Sequence, residues 1–233
     1  MEKRKINILS LIVVILLVLP YIASAQQYLG IRGGAGAGSI RLVPLEETQY
    51  NLATPLAGLT YRYYGGDVGV GGISVELNAQ QKSFKVLPCV KSDSAYIREI
   101  SQIEIPFFWQ PHIELSKDKA WIYLNIGPYV AYNISSTERF VSSAGVLEDS
   151  DGNLWDYEYE FDSQRDNRFE YGIAAGVGFR MLLTKQFDLS FEMRYSLGYS
   201  DILKNVTKYS DNPTNSPLDF ITASIGISYR LSK

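Results

Sequence analysis

Ten charged residues lie in segments where their neighbours in the chain are mostly apolar or aromatic. Successive side chains of a β-strand point to opposite faces, so these charges would share one face of a sheet and their neighbours the other. Acidic and basic groups held together away from water should form ion pairs. They are Arg32, Arg62, Arg180, Arg194, Arg230, Glu76, Glu104, Glu170, Asp188 and Glu192. This set favours an internal salt-bridge network, and the alternatives are a path for protons or ions and a site for a small ligand.

A catalytic reading depends on the single histidine of the chain, His112, which lies beside Pro111 and near Ser116. Hydrolases of the serine type need a histidine close to a serine and a carboxylate. The chain has no Gly-Xaa-Ser-Xaa-Gly elbow, no phosphate-binding glycine loop and no Cys/His cluster, and Cys89 is its only cysteine. We therefore expect no enzyme activity, no cofactor and no metal site, with His112 a turn or rim residue.

The segment 135–166 is long, strongly acidic and without an obvious regular structure, which is typical of a binding loop or a disordered one. Asp149, Asp151 and Asn153 alternate as calcium ligands can, but they lack the glycine placement and closing Glu of an EF-hand loop. We expect a solvated acidic outer loop that is available to a surface ligand. Its acidic residues include Glu148, Asp149, Asp151, Asp156, Glu158, Glu160 and Asp162.

The elements that must position these residues are strands. Strict alternation of apolar and polar residues over 167–182 and 187–199 predicts two strands joined by a short turn. Eight candidates emerge in all, at 28–38, 55–64, 68–80, 97–113, 121–134, 167–182, 187–199 and 218–231. Most reach the roughly 9 to 11 residues that a tilted strand needs to cross a bilayer, which favours a membrane barrel over a soluble sandwich. We predict an all-β fold, an eight-stranded antiparallel up-and-down transmembrane β-barrel.

The predicted connections alternate between long and short. The short ones are 65–67, 116–119 and 184–186, whereas the others are long and polar. Bacterial outer-membrane barrels have short periplasmic turns and long outer loops, so both termini should be periplasmic. An interior eight strands wide is filled by side chains, which favours a plug over an open channel.

Aromatic residues on the predicted outer face gather near the strand ends, where amphipathic rings mark membrane interfaces. Trp109 and Trp121 flank one short turn, and Tyr61 and Tyr63 should lie at the same rim. The full set is Tyr61, Tyr63, Trp109, Trp121, Tyr132, Tyr171, Tyr195 and Tyr199. Ordinary strand propensity is the alternative explanation.

The N-terminus reads as a cleaved secretory signal. Lys3, Arg4 and Lys5 precede an apolar run that ends before the small-residue segment 23–25. This predicts a signal peptide at 1–25 and one barrel domain at 26–233. The net charge of -3 argues against nucleic acid as a partner.

Five segments together resemble the PorT-like outer-membrane β-barrel family of Gram-negative bacteria. They are YLGIRGG at 28–34, IEIP at 103–106, NIGPYV at 125–130, RYSLGYSDI at 194–202 and ISYRL at 227–231. The resemblance implies an outer-membrane location, an eight-stranded barrel and periplasmic termini. One branch of the family is linked to type IX protein secretion, which would make secretion-machinery proteins partners.

Fold alone does not specify activity. We expect a monomeric barrel in outer-membrane lipid with a structural or surface-binding role. The alternatives are an accessory of type IX secretion, small-solute transport and an outer-membrane lipid-modifying enzyme.

Overall fold

The computed structural model describes residues 26–43, 47–65, 71–87, 94–117, 119–142, 145–148, 154–204 and 215–231. The predicted signal peptide, Cys89 and the central part of the acidic loop lie outside these residues. The strands in chain order are β1 (Gln26–Ile40), β2 (Glu47–Tyr64), β3 (Gly72–Leu87), β4 (Ala95–Gln110), β5 (His112–Ser116), β6 (Ala120–Ser142), β7 (Gly145–Val146), β8 (Asp156–Glu158), β9 (Phe169–Leu182), β10 (Phe187–Asp201) and β11 (Pro217–Arg230).

Eight long strands close into a ring. Each of β1, β2, β3, β4, β6, β9, β10 and β11 pairs antiparallel with the next, and β1 pairs with β11 to complete the circle. That last pairing runs from Tyr28 opposite Arg230 to Ile40 opposite Leu218. The predicted eight-stranded antiparallel barrel is therefore confirmed, and its closure gives each of these eight strands a partner on both sides along the body of the wall.

The wall is apolar outside and polar inside, the reverse of a soluble protein. On β10, Phe191, Met193 and Tyr195 are exposed, whereas the intervening Glu192 and Arg194 are buried. The alternation follows from the pleat, because side chains two apart share a face. An apolar outer wall around a polar interior suits a barrel surrounded by lipid. Within the described residues, no helix is long and apolar enough to cross a membrane.

The strands extend further than the sequence predicts on the side of the long loops. β2 begins at Glu47, β3 continues to Leu87 and β6 continues to Ser142. This end is called the loop end below, and the opposite end, which carries both chain termini of the barrel, is called the turn end. The extra residues continue the antiparallel pairing, with register shifts in β2, but they lose the strict apolar alternation on which the prediction rested.

A bulge interrupts the pairing of β4 with β6. Ser101 lies opposite Ser135 and Gln102 opposite Asn133, which leaves Ile134 as the extra residue. A bulge shifts the side-chain alternation by one position. Asn133 and Ser136 are accordingly both buried, while Ile134 between them is exposed.

Candidate functional site

The lumen is filled by charged side chains in three groups, and the middle one centres on Glu76 of β3. Arg32 Nη1 lies 2.6 Å from Glu76 Oε2, and Arg194 Nη2 lies 2.8 Å from Oε1. Asn78 donates a hydrogen bond of 3.0 Å to Glu76. Arg194 also lies 2.6 Å from Glu192. Three strands, β1, β3 and β10, thus contribute to this middle cluster, which consists of Arg32, Glu76, Asn78, Glu192 and Arg194.

A second group, the loop-side cluster, surrounds Lys82. Its Nζ lies 2.6 Å from Glu170 Oε1 and 3.5 Å from Glu104 Oε2. Tyr129 donates a hydrogen bond of 2.8 Å to Glu170, and Gln80 donates one of 2.7 Å to Glu104. Lys82 is fully buried. Lys82 is absent from the predicted set of inner-wall charges because the third strand is expected to end at Gln80.

The third group, the turn-side cluster, places two guanidinium groups on one carboxylate. Asp188 Oδ1 lies 2.9 Å from Arg62, and its Oδ2 lies 3.9 Å from Arg180. The Arg180 guanidinium also lies 4.5 Å from the Tyr64 ring and 5.1 Å from the Tyr28 ring. Aromatic faces attract a guanidinium electrostatically, so these rings help to hold Arg180 in place.

Trp121 was expected on the outer face, and that prediction is wrong. Its ring lies 4.6 Å from the Arg180 guanidinium inside the barrel, and its register partner on β9 is Arg180 itself. The reason is the alternation of side chains along β6. Tyr123 and Asn125 point inward, and Trp121 shares their face because residues two apart on a strand do so. Trp121 therefore completes the aromatic surroundings of Arg180 at the turn end.

Nine of the ten predicted inner-wall charges are buried in these three clusters, and Lys82 joins them. Arg230 is half-buried at the turn end, with its guanidinium 6.0 Å from the Tyr28 ring. The clusters pair five cations with five carboxylates, namely Arg32, Arg62, Lys82, Arg180 and Arg194 with Glu76, Glu104, Glu170, Asp188 and Glu192. This balance matters because a buried charge without a partner is expensive.

A small polar cavity of about 20 Å³ separates the middle and turn-side clusters. It is lined by Arg32, Arg62, Ser74, Glu192 and other polar side chains. The buried Nε of Arg32 has no protein partner. A polar cavity of this size suits about one water molecule, which could satisfy that donor.

Glycines on the inner face make room for two tyrosine rings. A Cβ added at Gly178 would overlap the Tyr123 ring, and one added at Gly172 would lie 2.7 Å from the Tyr129 ring. Both rings carry hydroxyl groups that donate to the carboxylates of the clusters. Glycine is therefore required at these positions by close packing.

An apolar plug lies above the charged clusters, at the loop end. It consists of Ile40, Leu42, Phe84, Val86, Ile100, Ile202 and Leu218, with Tyr96 and Phe161 packed against it. No predicted site included these residues. They come from four strands and three loop segments that are far apart in the sequence, so only the folded barrel brings them together.

The segment 159–166, called the strap below, crosses this end of the barrel. The Tyr159 ring lies between two guanidinium groups, at 3.7 Å from Arg98 and 4.7 Å from Arg165. Its hydroxyl donates a hydrogen bond of 2.8 Å to Asp166, and its backbone N–H donates one of 2.8 Å to the Ser136 carbonyl. Burial raises the pKa of Tyr159 to about 12, with the Asp166 hydrogen bond adding to the shift against opposing Arg98.

The predicted acidic loop residues divide between three environments. Asp156 and Glu158 belong to β8, Glu160 and Asp162 belong to the strap, and Glu148 forms an isolated bridge with Leu154. Asp149, Asp151 and Asn153, the conceivable calcium ligands, lie outside the described residues. In the part of the chain that the structure covers, no three His, Cys, Asp or Glu side chains are arranged to hold a metal ion.

The outward-facing aromatic residues form two groups. Tyr61, Tyr63 and Trp109 lie towards the turn end of their strands. The loop-end group comprises Tyr132, Tyr171, Tyr195 and Tyr199, all of them exposed. The two groups bracket the apolar wall, as the rings at two membrane interfaces would.

His112 lies beyond Trp109 at the turn end, where its half-buried ring packs edge to face on Tyr64 at 5.1 Å. Burial lowers the pKa of His112, and the nearby Arg180 charge lowers it further. Ser116 lies at the opposite end of β5. Within the described residues, nothing arranges His112 with a serine and a carboxylate as a hydrolase would.

A family model and one solved structure agree with this architecture. A family model described as an outer membrane protein beta-barrel domain matches residues 24–204. The crystal structure of the outer membrane protein OprG from Pseudomonas aeruginosa is 14% identical, with 91% of this chain and 97% of that one covered and a TM-score of 0.50. Ail, the attachment invasion locus protein of Yersinia pestis, is 12% identical over 88% and 99% of the two chains, with a TM-score of 0.37. Outer Membrane Protein W of E. coli is 14% identical over 90% and 99%, with a TM-score of 0.37. A search of the curated proteins finds no match.

Proposed function

Because the chain belongs to the outer membrane protein beta-barrel domain family, we propose that it is a small barrel with a closed lumen and a binding surface at its loop end. The family supports a location in the outer membrane of a Gram-negative bacterium. The alternation of short turns and long loops supports periplasmic termini. The basic start, apolar run and small-residue segment of the N-terminus support a signal peptide at 1–25, which leaves a barrel domain at 26–233. Cell fractionation, followed by gel mobility with and without boiling, tests this placement.

The closed lumen is supported by one observation above all, the balanced set of ten buried charges beneath an apolar plug. An ion that crossed the barrel would have to separate these pairs and then enter an apolar layer, both at a high cost in free energy. The purified barrel should therefore be silent in a planar bilayer. Stepwise conductance that changes in Glu104→Gln or Arg194→Gln would favour small-solute transport instead.

A surface-binding role is supported by the ordered loop end, where the strap and β8 form a defined acidic surface. Ser136 and Tyr159 form a hydrogen-bonded pair, so a two-residue Asn-Gly turn can join them and replace 137–158. We expect this variant to keep its heat-dependent gel mobility but to lose cell–cell aggregation and retention on protein-coated surfaces. Unchanged attachment would contradict a binding role for this loop.

An accessory role in type IX secretion is the second candidate, and it is supported only by the resemblance of the five sequence segments to the PorT-like branch. Deletion of the gene should then trap exported proteins in the periplasm. Normal export in the deletion strain would remove this candidate. We propose no enzymatic activity, and we propose that the barrel works as a monomer.

A further inference from the structure

The sheet has a gap at the loop end, beside β6. β6 pairs with β9 from Ala120 to Tyr132, and it pairs again with β8 from Thr137 to Arg139. β8 therefore occupies the position that an upward continuation of β9 would take. Among the described strands, β8 pairs with β6 alone, so its other edge is open.

The backbone of β8 shows which groups face this open edge. Phe140 N–H donates to the Trp155 carbonyl at 3.1 Å, and Tyr159 N–H donates to the Ser136 carbonyl at 2.8 Å. In an antiparallel pair, the residues that bond to the partner alternate with residues that point away from it. Glu158, between two residues that face β6, therefore presents its N–H and carbonyl to the open side.

A cleft of about 430 Å³ lies along this edge. It is bounded by Ile134 and Ser135 of β6, by residues 158–161 and by Arg168 at the start of the next strand. The Arg168 guanidinium packs 4.6 Å from the Phe161 ring and so closes one side. The cleft is the gap between β8 and β9.

The edge is acidic. Asp156, Glu158 and Glu160 are all exposed, and their alternate positions place them on the same side of the extended segment. Like charges on both partners would disfavour pairing with a second copy of this edge. An extended segment with Lys or Arg at alternate positions would meet opposite charges instead.

We propose that the open edge of β8 binds an extended basic segment of another protein by strand addition, with Glu158 supplying the backbone hydrogen bonds. Strand addition takes its affinity from main-chain hydrogen bonds and its specificity from alternate side chains. Here the carboxylates of the edge would select for basic residues. This partner class rests on the proposed surface-binding function and makes it more specific.

The test uses the full-length protein in lipid nanodiscs and two fluorescent eight-residue peptides of alternating Thr and Lys. The second peptide is N-methylated on alternate residues, which removes its ladder donors and keeps its charge. We expect the first peptide alone to bind, and to slow hydrogen exchange at the Glu158 amide.

Two variants of Glu158 separate the backbone from the charge. Glu158→Pro removes the outward N–H, which an edge strand tolerates, and should weaken binding about tenfold. Glu158→Gln keeps the N–H and should weaken binding only about threefold. Gel mobility with and without boiling shows that each variant remains a folded barrel.

Equal binding of both peptides would overturn strand addition in favour of charge attraction alone, even if Glu158→Pro fails to fold. Absence of binding by the wild-type protein, or self-association through this edge in its place, would overturn the proposal as well. The variant in which an Asn-Gly turn replaces 137–158 then separates the two proposals. If that variant loses attachment although the wild-type protein binds no peptide, the surface-binding function stands and only the strand-addition partner is wrong.

Discussion

Arg194 and Glu76 form an ion pair of 2.8 Å across the lumen, between two strands that do not pair with each other. β2, β1 and β11 separate β3 from β10 around the ring. The contact therefore ties opposite parts of the wall together, a connection that no backbone ladder provides.

Removal of Glu76 should be severe, because it leaves both Arg32 and Arg194 short of a partner. We expect Glu76→Gln to lower the free energy of unfolding by about 3 to 5 kcal/mol, the usual cost of breaking a buried pair. Glu160→Gln, at an exposed position, should change it by less than about 0.5 kcal/mol. Urea unfolding in lipid vesicles measures both, and equal midpoints would contradict the importance of the middle cluster.

Lys82 holds two carboxylates together, so its loss should create a repulsion that a second change can relieve. We expect Lys82→Met to be destabilised by about 3 to 5 kcal/mol, since Glu104 and Glu170 remain buried without their cation. The double variant Lys82→Met/Glu170→Gln should recover part of that loss. A double variant that is no more stable than the single one would argue against direct coupling.

The apolar plug and the outer wall should respond differently to the same truncation. Ile100 is 0% exposed within the plug, whereas Ile105 is 46% exposed on the outer wall of the same strand. Ile100→Ala should cost about 2 to 5 kcal/mol, because it leaves a cavity. Ile105→Ala should cost less, because lipid fills the space. Urea unfolding in lipid vesicles compares the free energies of unfolding of the two variants. A larger loss for Ile105→Ala than for Ile100→Ala would show that the apolar plug is not the stabilising core of this protein.

Two glycine substitutions should have opposite effects. Gly178→Ala would press a methyl group into the Tyr123 ring, and we expect a loss of about 1 to 3 kcal/mol from overpacking. Gly33 points outward, and the nearest atom to an added Cβ there lies 3.8 Å away. Gly33→Ala should therefore be neutral or stabilising by up to about 1 kcal/mol. If the urea midpoints of Gly178→Ala and Gly33→Ala changed by the same amount, contact with the Tyr123 ring would not be the cause of the loss of stability.

His112 should titrate below its ordinary pKa of 6.5, because it is partly buried and lies near Arg180. The chain has one histidine, so its NMR signal is unambiguous. Arg180→Gln should move the pKa back towards the ordinary value. Because the pKa of His112 is lower in the folded state than in the unfolded state, folding favours the neutral imidazole. The stability that this neutral side chain contributes is present above pH 6.5 and is lost as the pH falls through the folded-state pKa. A pKa that Arg180→Gln leaves unchanged would assign the shift to burial alone.

The wall was predictable from the sequence because lipid imposes strict alternation on every crossing strand. Phe191, Met193 and Tyr195 read as one face without any knowledge of the fold. Outside the bilayer that constraint ends. Lys82 was missed for this reason, because the residues around it, Gln81 and Ser83, are polar and the alternation is lost there.

The parts that sequence reasoning missed depend on long-range contacts or on exact parity. Ile40 and Ile202 meet in the plug only because the barrel closes. Trp121 is predicted on the outer face from its residue type, since tryptophan favours membrane interfaces. Counting back two residues from the inward-facing Tyr123 places it inside the barrel instead. Arg230 continues the alternation of β11, yet at the rim burial is only partial.

The seam between β1 and β11 has a consequence for biogenesis. Because β1 is synthesised long before β11, the growing sheet keeps two edges that can pair wrongly until both strands are present. The barrel can therefore close only after its last strand has been made. A mutation that delays the pairing of this last strand would act as a folding defect, even though every contact in the finished barrel is unchanged.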